Sequence, residues 1–385
     1  MPVVDQVPGS KRRSGRRWWR LARRTIGLLV VALTVTVAAT PLGRYLARVA
    51  WEEGKILARR RDIAALLADS SALAPGERRA LRLVVDARTF ALGPLGLDGG
   101  RSFSTYSVLD RDTLVLVLSA ARRDTLAPYT WWFPVVGRFP YKGFFDFAQA
   151  RRTAASMRQG GFDTFVRPAS AFSTLGWFND PLLSTTLRLD SLDLANTVIH
   201  ELTHNTLFVG GQVVFNESFA SFVGARGAME FFAARGQPRA ARQLLAEWSD
   251  EKLLGSFWGA TLSSLDSAYA RYPSDSGARV AARDSVFARM HRVLLADVAP
   301  RLPTIPRDRL ERLSLDNASL LARRVYAADL WLFDAVHARA GGTVAQTVRL
   351  VARLVRASPA DPFAALRRWL ESTPHVAPPS ATRGS

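Results

Sequence analysis

The chain has 385 residues, 48% of them hydrophobic, a formal charge of +19 and no cysteine. That length and apolar content allow one large core or two modest ones, and the missing cysteine excludes disulfides, a thiolate nucleophile, cysteine metal sites and a lipidated cysteine anchor. Nucleic-acid binding is also disfavoured: basic residues crowd between Lys11 and Arg24, the remaining arginines are mixed with acids along helix-like segments, and no zinc finger, recognition helix or aromatic-basic stripe accompanies them.

After the basic segment 1–24, residues 25–43 (TIGLLVVALTVTVAATPLG) carry no charge before Arg44. The pattern predicts an N-terminal transmembrane helix with its basic side in the cytoplasm and Trp18 and Trp19 at the interface. The rest of the chain would then be tethered to the membrane on its extracytoplasmic, periplasmic face. A cleaved signal peptide ending near Val37-Ala38-Ala39 is the rival reading. Apolar residues recur at helical spacing over 49–69, and Pro75-Gly76 opens a helix over 77–90. RSFSTYSV and TLVLVLSA read as a hairpin or as two sheet strands. Residues 129–147, dense in aromatics, proline and glycine, read as a packed structural loop. A helix near 151–159 and a strand at FDTFVRP follow, then the loop ASAFSTLGWFNDPLLSTTL.

Asp190 and Asp193 suit the cap and first turn of a helix that ends by Gly210-Gly211. A second helix spans 215–234, with Gly236 as its stop. Residues 236–372 read as helices and 373–385 as a tail. The expected architecture is α+β and mainly helical, with a small sheet before the 190–210 helix and one domain over 44–372. The oligomeric state is open.

Within the 190–210 helix lies VIHELTH. Residues four apart share a helix face, so His200 and His204 can point at one centre, as two ligands of Zn2+ do. Glu201 can lean toward a water at that centre and act as general base. A catalytic zinc site needs a third protein ligand and an open position. Glu217 is the candidate, brought back by a reversal at Gly210-Gly211. Asp180, Asp193, Glu230 and His291 are weaker rivals, and Asn216 is placed to bond across the turn or to a ligand loop.

HELTH followed by NESFA resembles the gluzincin metallopeptidases. GRFPYKGFF, STLGWFNDPLLST, VIHELTHNTLFV, FNESFASFVG and DNASLLARRVY resemble a bacterial family described as predicted aminopeptidases, over nearly all of the chain after residue 43. The resemblance implies a zincin-like metallopeptidase fold, zinc on His200, His204 and Glu217, Glu201 as base, and a peptide or protein substrate. The spacing from His204 to Glu217 is shorter than in the large zinc aminopeptidases.

An oxyanion formed at zinc calls for a second donor. Tyr326 is the first choice, ahead of Tyr141 and Tyr269. Asn317 and Asp180 are candidate substrate contacts, GWFNDP a candidate cleft wall, and FDTFV an edge strand that could pair with an extended peptide. An aminopeptidase also needs an acid for the substrate ammonium, which Glu230, Asp180 or Asp250 could supply. An endopeptidase and a non-catalytic scaffold with a structural metal are the alternatives.

Overall fold

In the computed structural model, residues 14–69, 71–133, 137–169 and 181–372 are described. The chain divides into two compact units, with the boundary in sequence between Ala58 and Arg59.

The first unit holds two helices, α1 (Ser14–Ala39) and α2 (Pro41–Ala58). Here the structure corrects the expected transmembrane helix. Among the described residues, no helix is long and apolar enough to cross a membrane. The uncharged run of the sequence straddles a helix break at Thr40-Pro41, and the N-terminal part of α1 is the basic segment. What remains uncharged on α1 is about fifteen residues, roughly 22 Å of helix, against a hydrocarbon core of about 30 Å. The expected membrane tether and periplasmic placement rested on that span and are withdrawn with it.

The second unit is mainly helical with small open sheets. Strands β1 (Arg61–Asp62), β2 (Thr105–Ser107) and β8 (Leu182–Leu183) form one sheet. A second sheet has the order β6–β3–β7, with β3 (Val115–Arg122) central between β6 (Tyr141–Phe144) and β7 (Phe162–Ala169), both antiparallel to it. RSFSTYSV and TLVLVLSA thus become strands of different sheets and not a hairpin. The aromatic region expected as a loop supplies β4 (Trp131–Phe133), β5 (Gly137–Phe139) and β6, because its large side chains alternate across strand faces.

Around the sheets lie α3 (Ile63–Ala68), α4 (Pro75–Leu92) and α5 (Phe147–Gln159). Then come α6 (Ser191–Thr206), α7 (Val213–Ala234), α8 (Pro238–Ala270) and α9 (Ser276–Val293). The chain closes with α10 (Arg307–Glu311), α11 (Asn317–Arg324), α12 (Leu330–Arg339), α13 (Val344–Ala357) and α14 (Pro362–Ser372).

The core is organised on α7, which is apolar nearly all round and buried along most of its length, as an internal helix must be. Phe215, Phe219 and Phe222 recur at helical spacing, and each packs a ring on Phe333 of α12 with centroids 5.6–5.8 Å apart. Each buried ring contributes about 2–3 kcal/mol of hydrophobic stabilisation. On the polar side, Asp334 of α12 accepts hydrogen bonds from Arg226 of α7 and from Trp248 and Lys252 of α8, joining three helices at one carboxylate.

Candidate metal centre

The centre begins with the capping of α6. Asp190 accepts from the backbone N–H of Leu192 and Asp193, both at 2.9 Å, which starts the helix one residue later. Leu194, Ala195, Val198, Ile199 and Leu202 fill its core face. His200, Glu201 and His204 lie off that face and are half-buried.

Against this helix packs α7, closely because glycines stand at the crossing. A Cβ added at Gly224 would lie 3.0 Å from Asn196 O and 3.1 Å from His200 Cβ, and one at Gly227 would lie 2.7 Å from Leu95 Cδ1 and 2.9 Å from Ile199 Cγ2. The chain reverses between the helices through Gly211, whose φ of +77° is a conformation that glycine adopts without strain. Asn216 then ties the turn, accepting from Val209 N at 2.9 Å and donating to Val209 O at 2.8 Å. Of the two roles open to Asn216 in the sequence, it fills the one across the turn.

This brings Glu217 to the histidines. Its Oε2 is 3.4 Å from His200 Nε2 and 3.7 Å from His204 Nε2. One ligand atom from each of the three lies within 4.8 Å of the others. Burial alone would raise the Glu217 pKa, but the hydrogen bonds and charges of the two histidines outweigh it and bring the carboxyl down to about 2. Burial would in turn depress His204, yet the Glu217 contact and the charge of Glu201 carry it above the ordinary value. Two imidazoles and one carboxylate, convergent and half-buried, are the donor set of a three-ligand zinc site, and the residues fit the ion. Among the described residues the buried His204 Nδ1 has no hydrogen-bond partner.

Next to the triad is the sheet face that α11 covers. In the β3 register, Ser119 faces Tyr141 on one side and Phe165 on the other, while Val117 faces Arg167. Tyr141, Phe165 and Arg167 therefore share one face. Arg167 Nη2 donates to Tyr326 Oη at 3.1 Å, with its guanidinium 5.4 Å from the ring centroid. Burial first, then the charge of Glu217, raises the Tyr326 pKa to about 12, with Glu201 adding to the rise and Arg167 opposing it. Burial is likewise the main cause that pushes the Tyr141 hydroxyl upward, with Tyr326, Glu217 and Glu201 adding to the rise and Arg167 opposing it. The segment carrying Tyr326 is pinned to α7 beside Glu217, since Ser218 Oγ donates to Val325 O at 3.3 Å and accepts from Ala328 N at 3.1 Å.

A family profile described as "Putative aminopeptidase" matches residues 44–366. The chain belongs to that family. Comparisons with curated proteins and with solved structures found no match to it. For this family member, the His-His-Glu cluster and the family together support a metal-dependent hydrolase.

The other candidate residues stand elsewhere. Tyr269 donates to Arg123 O at 2.9 Å and is bonded by Asn317, whose amide also holds Arg122 O and Thr125 O. Both are committed to backbone support. Asp193 lies in the first turn of α6, and His291 on α9. Glu230 accepts from Val344 N at 2.8 Å, and Asp250 from Thr304 N and Oγ1. Asp180 and most of GWFNDP lie outside the described residues. Sequence reasoning missed Arg167, since a lone arginine in a strand, in a chain with 52 lysines and arginines, carries no signal of its own.

Proposed function

We propose that this chain is a zinc-dependent peptidase and, in the finer reading that its family description favours, an aminopeptidase. The observation that carries the proposal is the convergence of His200 Nε2 and His204 Nε2 on one carboxylate oxygen of Glu217, with Glu201 next to the first histidine. Zinc held by these three residues would supply Lewis acidity toward a water and a peptide carbonyl.

The remaining steps belong to the protein. Glu201 takes a proton from the attacking water at its carboxylate and hands it to the departing amine, so the acid that breaks the bond is the base that began the attack. Tyr326, protonated at neutral pH with its pKa near 12, donates its hydroxyl proton in a hydrogen bond to the carbonyl oxygen as charge gathers there. Its own lone pair is engaged by Arg167, which leaves the O–H free to turn toward substrate. Among the described residues β7 is an edge of its sheet, a place where an extended peptide can add its backbone.

The test offers one mixed peptide library, with free and with acetylated amino termini, to the zinc-loaded full chain and to Glu201→Gln, with cleavage read by mass spectrometry. Loss of single residues from free termini only, abolished in the variant, is expected. Internal cutting of both sets would support an endopeptidase instead. No Glu201-dependent cutting of either set would reject the peptidase reading.

A further inference from the structure

Arg167 is half-buried and, among the described residues, has no carboxylate partner. Some other arginines of the chain meet an acid, Arg226 pairing with Asp334 and Arg283 with Asp163, while the half-buried Arg88 spends its donors on the carbonyls of Ser102 and Gly100. Among the described residues, Arg167 makes no ion pair, and its one hydrogen bond runs from Nη2 to Tyr326. A guanidinium carries five N–H donors in a rigid fork shaped for a carboxylate. Most of that fork is unspent, yet the Tyr326 ring beside it and the β3 register behind it fix where it sits.

The acids point the same way. Glu217 and Glu201 are the carboxylates that act on Tyr326, one assigned to the metal and the other to proton transfer. Glu230 and Asp250, which could have held a substrate ammonium, are bonded to Val344 and Thr304 instead. Beside the triad the described residues therefore present an unneutralised cation.

We infer that Arg167 is a carboxylate subsite that binds the free C-terminal carboxylate of a short peptide and sets its scissile bond over the His200–His204–Glu217 centre. This rests on the peptidase reading above. The reach of the subsite follows from contact lengths. A carbonyl oxygen on the Tyr326 hydroxyl and a carboxylate that takes the second hydrogen of Arg167 Nη2 are separated by at most three hydrogen-bond lengths, about 9 Å, which two extended residues span. The substrate class is therefore peptides with one or two residues beyond the cleaved bond, a di- or tripeptide where a single N-terminal residue is released.

The experiment compares a dipeptide and a tripeptide with their C-terminal amides on the zinc-loaded full chain. The free acids are expected to be preferred by roughly 10- to 100-fold in kcat/KM, mainly through KM, as for a charged hydrogen-bonded contact. Arg167→Met should remove the preference and Arg167→Lys should keep part of it. Tyr326→Phe, which leaves the cation in place, should slow both substrates while keeping the preference. Calorimetric binding of the acid and the amide to zinc-loaded Glu201→Gln reads the same subsite without turnover, and the wild-type and Arg167→Lys comparisons decide the matter should Arg167→Met fail to fold. Glu201-dependent cleavage of acid and amide at equal rates would overturn the subsite and leave the peptidase standing. Neither cleavage nor binding of any of these peptides would overturn both.

Discussion

Asn216 holds Val209 by both of its backbone groups, N–H at 2.9 Å and C=O at 2.8 Å, and so fixes the turn that delivers the next residue, Glu217, to the histidines. Val209 is buried, so removing the amide strands two polar groups away from water. Asn216→Ala should destabilise the protein by about 2 kcal/mol or more. It should also weaken zinc binding by about tenfold, the lower end for loss of a group that orients a ligand. Asn216→Asp, which can accept from the N–H but cannot donate to the carbonyl, should fall between the two. Thermal unfolding and chelator competition measure both effects, and an alanine variant with unchanged zinc affinity would show that the turn does not position Glu217.

The close crossing of α6 and α7 makes a second expectation. A methyl at Gly224 meets the Asn196 carbonyl and His200 Cβ at 3.0–3.1 Å, and backbone at that distance cannot swing aside. Gly224→Ala should therefore part the helices, costing about 1–3 kcal/mol as overpacking does, and move His200 relative to Glu217. Gly210→Ala is the matched control, because nothing lies within 4 Å of its added Cβ. The expected result is a lower Tm and weaker zinc binding for the first variant, with the second close to wild type.

The ligand helices were legible in the sequence for local reasons. Asp190 caps α6, the i and i+4 histidines share a face, Gly211 turns the chain, and each of these acts within a few residues. What depended on distant pairing was not legible. Arg167 meets Tyr326 across 159 positions, through a strand register that no neighbouring residue dictates. Residues 129–147 looked like a loop because their strands are only three or four residues long and bounded by Pro or Gly. The departure at the N-terminus has a different cause: the uncharged run reads as one helix, whereas Thr40-Pro41 divides it.

Acid should unlock the helical hub at Asp334. Burial raises the pKa of this carboxyl, but the hydrogen bonds from Lys252, Arg226 and Trp248 together overcome it and leave the value below the ordinary 3.8. A carboxylate depressed in the folded state contributes stability that is present above its unfolded pKa and lost as pH falls through the folded one. Asp334→Asn leaves Lys252 and Arg226 without their counter-charge, so its Tm should lie well below wild type at pH 7. That gap should persist to about pH 4 and narrow below it, as the wild-type carboxyl takes up its proton. Unfolding followed from pH 7 to pH 2.5 in both proteins checks this, and a gap that closed near pH 6 would place the effect in another group.

Tyr326 separates chemistry from structure most directly. The aromatic ring neighbours Arg167 and its segment is anchored through Val325 and Ala328 to Ser218, so Tyr326→Phe keeps the packing and removes one hydroxyl. If that hydroxyl donates to the carbonyl oxygen as charge develops, the interaction is made in the transition state and hardly at all in the ground state. Its loss should lower kcat by about 100-fold or more with little change in KM. Zinc content should stay at the wild-type level, since His200, His204 and Glu217 are untouched. A Tyr326→Phe protein with full kcat would remove the residue from the reaction, and one that raised KM alone would make it a substrate-binding group. A pH profile adds an independent readout. With a hydroxyl pKa near 12, Tyr326 remains a donor throughout the neutral and mildly alkaline range, so an alkaline fall in kcat near pH 9 should be the same in both proteins.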